Sequence, residues 1–211
     1  FTDSGETVST NEDTTLTGDL LANASPDPTG DGPLSITAFS IAGESGTFTL
    51  GSAYTITGKG DLTINANGTY SFSPTANYNG SVPTVTYTVS DGVGTTVDSS
   101  LNISVSPVDD TPTLDLNGHS TTGSGYAAAF AIQGSAVVIT GLATSIEDLD
   151  DTNMESATVT LTNAQLGDVL QLGVLPSGIS GTINTSTPGV IKVSLSGTAS
   201  KEAYALALQA I

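Results

Sequence analysis

The stretch LTINANGTYSFS, residues 62–73, constrains this chain more than any other. Leu62 and Ile64 alternate with polar residues, Ala66-Asn67-Gly68 interrupts, and Tyr70 and Phe72 resume the alternation. A period of two puts one row of side chains on one face of a strand, where a helix needs about 3.6. Asn67-Gly68 supplies the positive φ angles of a tight turn, so the stretch predicts a β-hairpin. The pattern recurs in LSITAFSIA (34–42), FTL (48–50), Val85-Tyr87-Val89 before Asp91-Gly92, and Leu101-Ile103-Val105. The second half repeats it in YAAAFAI (126–132), AVVIT (136–140), ATVTLT (157–162), DVLQLG (168–173), ISGTIN (179–184) and VIKVSLSG (190–197). Short strands at short spacing, broken by Gly, Pro, Asn and Asp, predict an all-β fold of antiparallel sandwiches.

The segment VSPVDDTPTLDL (104–115) reads as a joint, because Pro107 and Pro112 keep either flanking strand from running through it. The expected domains are residues 1–109 and 110–211, each of the usual size of about 100 residues. Near residues 200–211 the pattern changes. SKEAYALALQAI is rich in helix formers, Ser200 suits an N-cap and Glu202 falls in the first turn. About six strands precede this short helix, and a sandwich half needs at least one more. The second domain therefore reads as C-terminally incomplete.

Charge narrows the function. The chain carries 21 acids against 3 lysines (Lys59, Lys192 and Lys201), for a formal charge of −18. That balance argues against nucleic acid or an anionic membrane surface as partner, and no apolar run approaches the roughly 18 residues of a membrane span. There is no Cys, so disulfides and thiolate sites are excluded. A single histidine, His119, read here as a turn residue near the joint, leaves neither a Ser-His-Asp triad nor a multi-histidine zinc site. The chain is not expected to be an enzyme.

The densest run is SIEDLDDTNMES (145–156), with Glu147, Asp148, Asp150 and Asp151 in five residues, Glu155 following, and no basic residue near them in sequence. Ca²⁺ takes about six to eight oxygens, largely from carboxylates and carbonyls, and acids at alternating loop positions aim several oxygens at one point. The run is not an EF-hand, whose 12-residue loop with its fixed glycine is absent. Weaker clusters are Asp109, Asp110 and Asp115 at the joint, Glu12 and Asp13 beside Asn11, and Asp27 and Asp31 in SPDPTGDG. Each is also ordinary turn chemistry. Together they suggest Ca²⁺ at domain ends.

Residues 8–112 resemble the cadherin-like tandem repeats of giant RTX adhesins, the surface proteins that Gram-negative bacteria export by type I secretion. The resemblance rests on VSTNEDTTLTGDLLAN, GDGPLSITAF, GDLTINANGTYSFSPTANYNGSVPTVTYTVSDG and SVSPVDDTP. Where that family usually reads close to VNDAP, this chain has VDDTP, which keeps both oxygen-bearing side chains. Residues 113–211 resemble a second repeat type of the same adhesins through LDLNG, SIEDLDDTNMESATVTLTNAQLGDVL and VSLSGTASKEAYALALQAI. The resemblance implies extracellular, Ig-like modules that bind Ca²⁺ at the joints with neighbouring domains and stiffen a fibre serving adhesion or biofilm formation. It implies Glu12, Asp13, Asp91, Asp109 and Asp110 at the joint, and Asp148, Asp150 and Asp151 in the second domain's own site. In that family further strands follow the short helix. The sequence either stops short of them, or the second domain is split, with a ligand-binding module inserted after Ile211 before the missing strands return. The competing reading is direct binding of a sugar, peptide or ice by this segment. The absence of Trp and the single Thr-rich strand TVTLT (158–162) weigh against it.

Overall fold

The computed structural model describes residues 1–25, 32–118, 123–129 and 135–211. It divides into two compact units, Phe1–Val108 and Asp109–Ile211. In the first, β1 (Glu6–Asn11), β2 (Leu16–Asp19), β3 (Ser35–Ile41), β4 (Tyr54–Ile56), β5 (Gly60–Ile64), β6 (Thr69–Pro74), β7 (Gly80–Ser81), β8 (Val85–Ser90) and β9 (Thr96–Ser106) build two sheets. One has the order β1-β9-β8-β3, with β7 also on β9, and the other β2-β6-β5-β4. Strand β1 runs parallel to β9, while the other named pairs of this unit are antiparallel.

The sandwich follows from the inward rows. Val85, Tyr87 and Val89 of β8 and Leu101, Ile103 and Val105 of β9 join one buried cluster with Leu62 and Ile64 of β5 and Tyr70 and Phe72 of β6. Strand β3 shows how a broken period is repaired. Ile36 and Phe39 stand three apart, a spacing that would send one of them outward on a regular strand. A register shift between Ile36 and Ala38 resets the phase, so Ile36 sits opposite Val89, Phe39 opposite Tyr87, and Ile41 opposite Val85. All three are buried.

The β5–β6 turn differs in detail from the sequence expectation. Gly68 alone takes positive φ, at 91°, and its N–H donates to the Asn65 carbonyl at 3.0 Å. Asn67 acts through its side chain, whose oxygen accepts from the Thr69 N–H at 3.1 Å. The FTL segment forms no strand. Phe48 instead packs its ring against Phe39 and Tyr54, at centroid distances of 5.4 and 4.7 Å, so burial without a ladder satisfies the apolar residue.

In the second unit, β10 (Thr113–Asp115) pairs with β11 (Ser145–Glu147), and β12 (Asn153–Leu161), β13 (Ser180–Asn184) and β14 (Ile191–Ser200) form a sheet of order β12-β14-β13. Helix α1 (Lys201–Gln209) follows β14 directly. Ser200 makes the change possible: its backbone is extended and its hydroxyl accepts from the Ala203 N–H at 3.2 Å. Val193 and Leu195 of β14 pack with Ile179, Tyr204, Ala207 and Leu208. The buried Tyr204 hydroxyl donates to the Gly197 carbonyl at 2.7 Å.

Three expected strands are not strands here. In 168–173 the alternation of Leu170 and Leu172 reflects packing on the unit's core, with the Gly173 N–H donating to Ala210 O beyond the helix end rather than to a ladder. The other two, 126–132 (in its described residues, 126–129) and 136–140, have no strand partner, and an apolar run without a partner for its backbone groups does not settle as a strand. The remainder of YAAAFAI lies outside the described residues.

Removing a fully buried side chain should cost far more than trimming an exposed one. Phe72→Ala, at a wholly buried position, should destabilise the first unit by about 3–5 kcal/mol in urea unfolding. Val93→Ala, at a 67% exposed site, should stay within about 0.5 kcal/mol. Equal losses would contradict the core assigned here.

Candidate metal centre

The acidic loop begins where β11 ends. Asp148 turns its carboxylate back on the chain, and Oδ1 accepts the Asp151 N–H at 3.1 Å. The fold then brings in a partner invisible in the local sequence. Lys201 opens α1, and its Nζ donates to the carbonyl oxygens of Asp148 and Asp151, both at 2.7 Å. A lysine in the first turn of a helix opposes the helix dipole. That mismatch is the sequence cue that the ammonium has acceptors outside its own helix. Because the ammonium takes main-chain oxygens, the carboxylates of Asp150 and Asp151 remain at the surface.

Among the described residues, Asp109, Asp150 and Asp151 form the one set in which three carboxylates converge, their ligand oxygens all within 4.8 Å of one another. Asp110 adds a tether, since its N–H donates to Asp150 Oδ2 at 3.2 Å. Calcium–oxygen distances of about 2.3–2.6 Å put two oxygens of one ion at most about 5 Å apart, so this spacing fits a single Ca²⁺. An all-oxygen donor set also suits a hard cation. The Asp151 amide, with help from Asp150 and the Lys201 ammonium, holds the Asp148 carboxyl below the usual range. Asp150 moves the other way: the Asp110 amide pulls its pKa down, but hydrogen bonding and charge from Asp148, together with burial, push it up. Two carboxyls this close resist ionising together.

The other candidates have local roles in the described structure. Glu12 is buried, and its Oε1 accepts the Val108 N–H. Asp13, at φ 56°, accepts the Asn77 N–H at 3.0 Å. Burial pushes the Asp91 carboxyl up, yet the N–H groups of Val93, Gly94 and Thr95, at 2.9, 3.0 and 2.9 Å from its Oδ1, outweigh burial and hold it below the usual range. Asp115 accepts from the N–H groups of Asn117 and Gly118, both at 3.0 Å. Glu147 is paired through its backbone with Thr113. Glu155 is exposed on β12. Asp27, Asp31 and His119 lie outside the described residues.

Comparison with known proteins assigns the first unit. A family model described as a cadherin-like domain matches residues 2–106, and that unit is a cadherin-like domain. Solved structures similar to the chain include protocadherin gamma B2 extracellular cadherin domains 1–5, at 13% identity and TM-score 0.38, covering 96% of this chain and 32% of that one. Domains 3–6 of the same protein give 13% identity and TM-score 0.36, with 96% and 39% covered. A chicken TCR gives 11% identity and TM-score 0.30, with 95% and 90% covered. The chain thus spans 32% and 39% of the two protocadherin structures. No curated protein matches it. No helix among the described residues is long and apolar enough to cross a membrane.

Lys201→Met keeps the aliphatic stem and removes the ammonium with both of its hydrogen bonds. It should lower the second unit's stability by about 1–2 kcal/mol in urea unfolding, toward the low end for bonds to a charged group because the site is only half-buried. An unchanged midpoint would contradict the role of Lys201 as the strut of the loop.

Proposed function

We propose that the chain is a Ca²⁺-stabilised extender segment of an extracellular bacterial RTX adhesin, a structural rather than catalytic element. It would help project ligand-binding modules for cell adhesion or biofilm formation. One observation supports this most directly: three carboxylates from two separated stretches of chain converge at a spacing that fits one Ca²⁺. Asp109, Asp150 and Asp151 would hold the ion, and the ion would supply the positive charge their crowding calls for. Asp110 and Lys201 would keep the loop backbone in place for it. The cadherin-like first unit supports an extracellular adhesion or scaffold setting.

Binding would bear on the joint. Val108 is fixed within the first unit through the Glu12 carboxylate. Asp109, the next residue, would be fixed within the second by the ion. The free linker between the two units would then shrink to a single peptide link, which is how metal binding would stiffen a fibre of such repeats.

The second unit also has room for more strands. Among the described residues β12 pairs with β14 alone, and a groove of about 400 Å³ is lined by Leu114, Leu116, Ile146, Met154, Val159 and Leu208 among others. In the split-domain reading, strands that return after a module inserted beyond Ile211 would pair there. A full-length sequence running from the helix straight into such a strand would rule the insertion out.

Thermal unfolding in millimolar Ca²⁺ and in EGTA, at matched ionic strength, tests the ion. At about 1–10 times Kd, the range of a weak site in millimolar Ca²⁺, a single site adds about 0.4–1.4 kcal/mol, a measurable rise in Tm. The rise should be absent with Mg²⁺ and should shrink in Asp150→Asn/Asp151→Asn. No Ca²⁺-specific rise would leave the cluster a solvated loop.

A further inference from the structure

The N-terminal segment of the first unit holds a cluster that is short of protons. Tyr87 is wholly buried on β8, and its hydroxyl lies within hydrogen-bond distance of both Asp3 Oδ2, at 2.9 Å, and Glu6 Oε2. A phenol has one proton and cannot donate to both. The side-chain amide of Asn23 donates to the other Glu6 oxygen, Oε1, at 3.0 Å and also to the Ser4 carbonyl at 2.8 Å. Asp3 Oδ1 is buried with no hydrogen-bond partner. With the Glu6 main-chain N–H, three donor hydrogens therefore face four carboxylate oxygens, and two adjacent negative charges would share one buried hydroxyl. That arrangement is costly in a partly desolvated site.

One added proton pairs the chain of groups. We infer that Glu6 is held as the neutral acid in the native fold, donating from Oε2 to the Tyr87 oxygen while Tyr87 donates its own proton to Asp3 Oδ2. The proton belongs on Glu6 rather than Asp3 because glutamate is the weaker acid of the two, and on Oε2 because Oε1 already accepts from Asn23. The groups facing the site agree. Burial raises the Glu6 pKa, the Tyr87 bond opposes this and the Asp3 charge raises it further; the Glu6 main-chain N–H and the Asn23 amide pull it down, and the balance stays upward. Tyr87 is pushed far up by burial and by both carboxylates, and Tyr70 on β6 is pushed up by burial and by Glu6. The relay pins the segment before β1, which also bridges Thr2 to Ser25, onto β8.

The sign follows from linkage. A carboxyl whose pKa is raised on folding stabilises the fold fully below its unfolded value, and this contribution is lost as pH rises through the folded value. The test is a carboxyl ¹³C NMR titration of the whole chain. Glu6 should titrate above the ordinary glutamate range, and Asp3→Asn, which frees the Tyr87 proton for Glu6, should bring it down. Glu6→Gln mimics the neutral acid, so it should be more stable than wild type at pH 7, with the difference closing on acidification. Glu6 titrating in or below the ordinary range, or the proton residing on Asp3, would overturn the inference, as would a Glu6→Gln loss that does not change with pH.

Discussion

In a chain with 21 acids and 3 lysines, main-chain N–H groups take the place of cations. Asp91 collects three amides, Asp115 two, and Glu12, Asp13, Asp19, Asp148, Asp150 and Asp168 one each. Those at Asp19, Asp91, Asp115, Asp148 and Asp168 fix local turns, while Glu12, Asp13 and Asp150 tie distant stretches of the chain together. Two places exceed what amides can neutralise. At the Tyr87 cluster the remedy is a proton. At the loop after β11 one lysine serves the backbone, and the carboxylates of Asp109, Asp150 and Asp151 are left facing one another.

These two solutions respond to different conditions. A shared proton answers to pH and acts within the first unit, on the segment that leads into β1. The proposed divalent ion would answer to its own concentration and would act where the chain enters the second unit. Weak sites of about 10⁻⁴–10⁻³ M suit millimolar Ca²⁺ outside cells, where such a site would fill, and would stay empty at the far lower levels inside them.

The strands most legible in sequence were those whose period and partner agree. Leu62, Ile64, Tyr70 and Phe72 alternate around Gly68, and their register is local, so the hairpin could be read residue by residue. Ser200 likewise marked the start of α1. Strand β1 was hidden because its partner β9 lies almost a full domain away, and its own alternation mixes Thr, Val and Glu. The 168–173 segment misled because Leu170 and Leu172 alternate for packing and not for pairing. At the site, the crowding of acids was visible but its composition was not. Asp109 and Lys201 reach the loop from forty and fifty residues away, and only tertiary structure shows that Asp109 converges on it while Asp115 and Asp91 cap turns.

The central claim is that an ion held by Asp109, Asp150 and Asp151 takes away the freedom of the joint. The measurement closest to it is backbone ¹⁵N relaxation of Val108 through Asp110 and of the 147–151 loop, with Ca²⁺ and with EGTA. The account predicts that the order parameters of Asp109 and Asp110 rise with Ca²⁺ to the level of rigid backbone, about 0.85, and fall in EGTA, while β8 and β9 stay unchanged. Identical values in the two conditions would contradict it.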